Sequence, residues 1–442
     1  MAGMAEALQE KLAISEDFAV WQKNAPFLYD VAIVHELEWP SLTVQWLPGT
    51  IPVSTREGYL EHSLLIGTHT CAAAGGTEAA EENALIIATV DVPSSSTEID
   101  TRSAFGEDTV KIVARFRHPG GEVNRARAMP QNANIVATKP ACAAVYVYDT
   151  AGAREAQREA GAVLPGPSLR LEGHDEEGYA LCWNPALEGE LLSGSNDGHV
   201  CIWDVSLTSS SDGAHASKKA KPTNEPKRRI ANAHSAPVED VAYSADGLLF
   251  ASVGDDRRLV VWDARQTAPA SVVADAHADD VQCVDFNDSP LHPFWLVTGG
   301  ADGSVRLWDR RKLGNPLHET LAHSGSVMTM QWAPFADTVL ATCSADRRVN
   351  LVDFDDRDKT PAAADDDEND EGPPELVFSH GGHTAKVSDV AWSPEEAWLC
   401  ASVSEDNRLH VYWPANETLF PDDDEGAQGD DEAQDDGDDG AP

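Results

Sequence analysis

Ser195, His174 and Asp197 are the residue types of a hydrolytic triad: a nucleophilic hydroxyl, an imidazole base and a carboxylate to orient it. Repetition argues against that chemistry. A Gly-His or Ala-His dipeptide recurs at Gly173-His174, Ala233-His234, Ala276-His277, Ala322-His323 and Gly382-His383. An aspartate follows each, at Asp197, Asp256, Asp302, Asp346 and Asp406. Catalysis needs one such set. A set that recurs along the chain reads as a structural network in which a buried histidine, a turn carboxylate and an aromatic satisfy one another. The sequence carries no phosphate-binding glycine loop, HExxH or GxSxG element. A non-enzyme without cofactor or metal is therefore expected.

The spacing names the elements that hold these residues. Each aspartate lies six residues before a closing pair: Trp203-Asp204, Trp262-Asp263, Trp308-Asp309, Val352-Asp353 and Tyr412-Trp413. Between opening and closing runs an alternating apolar strand, such as Val238, Val241, Tyr243 or Val387, Val390, Trp392. A small-residue strand follows (Leu192–Ser195; Thr298–Gly300), then the turn bearing the Asp, then a strand ending in the aromatic. This is the WD-repeat pattern of a β-propeller. Two weaker units precede it. One runs from His118 to Tyr148-Asp149, with Cys142 where the turn Asp would be, and the other covers residues 39–92. The expectation is an all-β, seven-bladed WD-repeat propeller with an N-terminal α-helix. Residues from Phe27 to Glu36 can supply the outer strand of the last blade and close the ring.

The boundaries follow from composition. Residues 1–25 are expected to form the helix, with Leu8, Leu12, Phe18 and Trp21 on its apolar face and Pro26 ending it. The propeller spans 26–420, with a basic insertion at 206–229 and an acidic Pro-Pro loop at 355–375. Residues 421–442 are an acidic tail expected to be disordered. The 442-residue chain has 32 Lys+Arg against 75 Asp+Glu, a net charge of −43. That balance disfavours direct nucleic-acid binding and favours a basic partner. No apolar run approaches the roughly 20 residues of a membrane span. Met1–Lys11 shows no secretory pattern, and the seven cysteines form no CxxC pair. An intracellular protein with reduced thiols is expected. Lys218, Lys219, Lys221 and Lys227-Arg228-Arg229 form the dense basic cluster of an acidic chain, and a nuclear address is expected there.

Several stretches exceed generic repeat grammar. Residues Trp21–Asp30 and His35–Thr43, Gly121–Arg127, Glu177-Gly178-Tyr179, Val238–Val241, Ser402–Asn407 and above all Gly372–Lys386 closely resemble the retinoblastoma-binding, MSI-type histone-binding WD-repeat proteins. The resemblance implies a non-enzymatic, nuclear component of chromatin assembly, acetyltransferase, deacetylase, remodelling and Polycomb complexes. It implies two binding surfaces. A side groove would take the first helix of histone H4 through Leu28, Glu368, Glu371 and Phe378. The propeller face would take a histone H3 tail or similar basic peptide through Glu122, Asn124, Glu177, Tyr179, Glu239, Asp280, Gln282, Lys386 and Glu405. Independently of the family, carboxylates grip Arg bidentately and apolar side chains seat an amphipathic helix. The chain departs from the family at Ser379, where a bulky aliphatic is common, and at Ser326 and Met328, which replace an acidic and an aromatic residue. A competing reading takes Trp262-Asp263-Ala264-Arg265 and Trp308-Asp309-Arg310-Arg311 as WDxR motifs, through which Arg265 and Arg311 would dock a cullin-4 ligase adaptor.

Overall fold

The computed structural model describes residues 2–70, 83–95, 108–152, 163–205, 224–355 and 373–419, with helix side chains described from Lys11 onward apart from Gln9. Seven antiparallel sheets form the ring, each of four strands except the first, which gains a short parallel strand, Val163–Leu164. Blade 1 holds Val44–Pro52, Tyr59–Gly67, Ala84–Pro93 and Lys111–Arg117. Blade 2 holds Val123–Met129, Asn132–Pro140, Val145–Asp149 and Leu169–Leu171. Blades 3, 4, 5 and 6 have inner strands Leu181–Trp183, Val238–Tyr243, Val281–Phe286 and Val327–Trp332. Their outer strands are Arg228–Ile230, Pro269–Val273, His318–Leu321 and Leu376–His380.

Blade 7 takes Val387–Trp392, Cys400–Ser404 and Arg408–Pro414 from the end of the chain and Tyr29–Glu36 from its beginning. Ile33 lies opposite Val411 and Glu36 opposite Arg408. The expected closure is therefore what forms, and it removes the open sheet edge that a linear array would leave. The core lies between neighbouring blades. Val31, Ile33, Leu64, Ile66, Leu399 and Val411, for example, bury blade 7 against blade 1.

The recurring polar set builds one network per blade. In blade 3, His174 Nδ1 lies 3.2 Å from Asp197, and its Nε2 shares a 2.8 Å hydrogen bond with Ser193 Oγ. Trp203 Nε1 donates to that same hydroxyl at 2.8 Å. Ser252 plays this part in blade 4 and Thr298 in blade 5. The triad suggested by Ser195 does not assemble, because Ser195 Oγ donates instead to the carbonyls of Glu176 and Glu177. Burial pushes His174 down to about 4, so this imidazole is neutral. Burial would raise the Asp197 carboxyl, but the His174 bond and backbone N–H donors outweigh it and hold it below the usual range. A neutral, fully bonded histidine beneath a tryptophan is a brace, not a base.

Helix α1 (Ala2–Leu28) corrects the sequence reading in two ways. It runs through Pro26 rather than stopping before it. So near the helix end a proline removes only one late hydrogen bond. The turn is also held by packing, with Ala25 fully buried and Leu28 half-buried against Tyr29 and Phe378. The expected apolar face is only partly used: Leu12 is 57 % exposed, while Phe18 stacks on Trp21 at 5.6 Å. Among the described residues no helix is long and apolar enough to cross a membrane, and no disulfide joins the described cysteines.

Candidate binding surfaces

The side surface grows from the chain's return to blade 7. The carbonyl of Leu28 accepts from the N–H of Ala415, tying the end of α1 to the last strand. Tyr29 then opens the outer strand, with its ring edge-on to Phe378 at 5.3 Å. Phe378 sits opposite Leu351 in blade 6 and is only 6 % exposed. It therefore forms the floor on which α1 sits, and Leu28 and the 78 % exposed Phe27 stand nearer the surface. Glu368 and Glu371 lie outside the described residues, as do Lys218, Lys219 and Lys221.

The exit of the acidic loop is fixed by a residue that sequence reasoning missed. Glu375 is 2 % exposed and binds His318 Nε2 at 2.7 Å, while its backbone carbonyl accepts from Asp353. Burial would raise its carboxyl, but the bonds from His318 and Thr320 hold it below its ordinary value. Glu375 looked like one more member of an acidic run. Only its pairing with a histidine 57 residues away distinguishes it.

The second surface lies at one mouth of the central channel. The structure brings Tyr179, Glu239, Gln282, Lys386 and Glu405 around a cavity of about 270 Å³, joined by His69, Arg125 and Met328. Lys386 pairs with Glu405 at 3.1 Å, and Glu122 with His69 at 3.0 Å. Glu177 is exposed and Asp280 half-buried, but neither lines the cavity. Asn124 is buried at 2 % exposure, and its amide donates to the carbonyl of Gly178, so it ties blade 2 to blade 3. Burial, reinforced by Asp255, Asp240 and Asp280, pushes the Glu239 carboxyl up to about 7. A cationic side chain placed there would relieve that repulsion.

Beneath the mouth lies a second arrangement not foreseen from the sequence. Asp389 is 1 % exposed and faces Arg125 at 3.4 Å and Arg127 at 3.1 Å. It also accepts from the N–H of Val44 and the hydroxyl of Thr329. One carboxylate thus links blades 1, 2, 6 and 7 across the channel.

The remaining candidate residues are placed as follows. Arg265 and Arg311 fold back on Asp263 and Asp309 of their own repeats at 2.7 and 2.6 Å, the geometry of a loop tether. Their side chains are still 69 % and 60 % exposed. In the basic insertion, Lys227 binds Glu190 at 2.7 Å and Arg229 pairs with Asp175, so these described members are engaged by blade 3.

Comparison with known proteins agrees with this geometry. Residues 166–204, 225–263, 271–309, 314–353 and 374–412 match the WD domain, G-beta repeat. Residues 16–94 match the family of the histone-binding protein RBBP4, a component of the CAF1 complex. A chain in the crystal structure of the mitotic checkpoint complex is 16 % identical, with a TM-score of 0.56 over 86 % of this chain and 90 % of that one. That likeness concerns the fold alone. The class is thus a WD-repeat β-propeller. Within it, the chain belongs to the retinoblastoma-binding, MSI-type WD-repeat family, whose model covers its helix, closing strand and first blade.

Proposed function

We propose that this protein is a non-catalytic histone-binding scaffold of nuclear chromatin complexes. The observation that carries the reading is the match of residues 16–94 to a histone-binding family, in the region that contains α1 and Leu28. The first helix of histone H4 docks beside α1, with Leu28 and the Phe378 floor supplying apolar area and Glu368 and Glu371 gripping its basic side chains. A histone H3 tail or similar basic peptide enters the channel mouth, where Glu239, Glu405 and neighbouring Glu122, Glu177 and Asp280 attract it. Asn124, Tyr179, Gln282 and Lys386 shape that site. A chain of net charge −43 suits basic histones and repels nucleic-acid phosphate. Nuclear entry uses the 218–229 basic cluster, and the complexes served are those of chromatin assembly, acetylation, deacetylation, remodelling and Polycomb silencing.

Calorimetric titration of an H4 first-helix peptide tests the reading. Glu368→Lys with Glu371→Lys is expected to weaken binding at least about tenfold, a loss of roughly 1.4 kcal/mol. Deletion of the tail after Asp422 is expected to change it little, because exposed charges act through screened attraction. Loss of binding on tail deletion, with the loop variant binding normally, would show a polyanion effect and overturn the groove.

A further inference from the structure

We propose that His380, His383 and His410 form a binding site for one transition-metal ion of the Zn2+ class, set between blades 6 and 7 beneath Trp21. The three imidazoles come from the outer strand of blade 6, the repeat-opening dipeptide and the third strand of blade 7. They are 1 %, 3 % and 1 % exposed. Each can present one ring nitrogen so that all three lie within 4.8 Å of one another. His380 Nε2 and His410 Nδ1 are already 3.0 Å apart.

The blade 7 network differs from the others in the way a metal site requires. In blades 3 to 6 the repeat histidine binds its aspartate at 2.8–3.2 Å. His383 Nδ1 lies 3.6 Å from Asp406 and has no hydrogen-bond partner; Asp406 accepts from Thr384 instead. His410 Nε2 is likewise buried without a partner. The positions equivalent to His410 are Cys201, Val260, Arg306 and Asn350, so the extra imidazole belongs to this blade. Two nitrogens without partners in a closed space are donors awaiting an acceptor of electron pairs.

The surrounding groups fit a ligand set. Tyr29 Oη holds His380 Nδ1 at 2.7 Å, and Ser402 Oγ holds His383 Nε2 at 2.8 Å. Such outer partners fix ring orientation in metal sites. Burial depresses His380 and His410 well below the ordinary histidine value, leaving neutral rings able to donate to a metal at neutral pH. An all-imidazole set suits Zn2+ and its neighbours over Ca2+ or Mg2+. Gly382 lets Trp21 close the site: a Cβ there would meet Trp21 at 2.7 Å and His410 at 2.9 Å. A bound ion would thereby clamp α1 to the last blade, whatever the partner of α1 proves to be.

The test uses Co2+ as a spectroscopic stand-in on the full-length, chelator-treated chain. Expected are one equivalent bound, the intense visible absorption of four-coordinate nitrogen ligation, and its loss when Zn2+ is added. His410→Gln is expected to weaken Co2+ binding about 100-fold or more, beyond the usual effect of losing an outer partner. A weak six-coordinate spectrum unchanged in His410→Gln would place the ion on the acidic segments and overturn the site. A second readout needs no variant. Zn2+ that binds only the folded protein raises its melting temperature. A wild-type melting temperature unmoved by Zn2+ overturns the proposal as well.

Discussion

The side groove and the channel mouth belong to one ring but are built by opposite means. The groove depends on a segment added to the ring's edge, where Trp21, Ala25 and Leu28 of α1 rest on Tyr29 and Phe378. The mouth depends on the ring itself, because its residues come from the inner strands and turns of several blades and converge on Arg125 and Asp389. The groove is therefore apolar with a charged loop beside it, and the mouth is charged with little apolar area. A propeller offers an edge and a hole, and the two can take chemically different parts of one basic partner.

The largest way to break this comparison is to damage what both surfaces share. Asp389→Asn leaves Arg125 and Arg127 without their buried counter-charge. Breaking such a pair from one side costs about 3–5 kcal/mol. A shifted denaturation midpoint would register it, and both peptides should bind poorly at temperatures where the variant is partly unfolded.

Trp21→Ala should separate the two. It removes stacking with Phe18 and the lid over His380 and His410. Because Trp21 is half-buried, the expected cost is about 2 kcal/mol, below that of a fully buried aromatic. H4 helix binding should weaken about tenfold or more, while basic-peptide binding at the mouth stays unchanged.

The pH dependence should separate them the other way. Glu239 is pushed up to about 7 by burial and its acidic neighbours. A carboxyl raised in the folded state stabilises the fold at low pH and loses that contribution as pH rises through about 7. Binding of a cation runs opposite, since it needs the ionised form. Basic-peptide affinity should therefore rise between about pH 6 and pH 8, and Glu239→Gln should flatten the profile. The groove should show no such step.

The smallest effect sharpens the groove alone. Ser379 is half-exposed beside Phe378. Ser379→Leu adds apolar area at about 0.8 kcal/mol per buried CH₂, so H4 peptide affinity should rise a few-fold.

The ring was legible because its grammar is redundant. His, Asp and Trp recur at fixed spacing, and even Tyr148-Asp149 and Val352-Asp353 keep the frame. The hydroxyl of each network was not legible. Ser193 and Ser195 lie two residues apart and both satisfy period-two alternation, so only the strand register decides which meets His174. The end of α1 was misread because Pro26 is a local signal, whereas the burial of Ala25 and Leu28 is a tertiary one. Arg125, Asp389 and Glu375 are single charged residues whose partners lie far away in sequence, and spacing carries no trace of them. His410 occupies a strand position with no repeat rule, so its meeting with His380 and His383 emerges only in the folded ring.

The most direct test of two separate surfaces is a sequential titration. The full chain is saturated with an H3 tail peptide and then titrated with an H4 first-helix peptide. The account expects the H4 peptide to bind with one-to-one stoichiometry and an affinity within about twofold of that for the free chain, since sites without shared contacts act independently. Displacement of one peptide by the other would contradict it, because a single acidic surface would then be serving both.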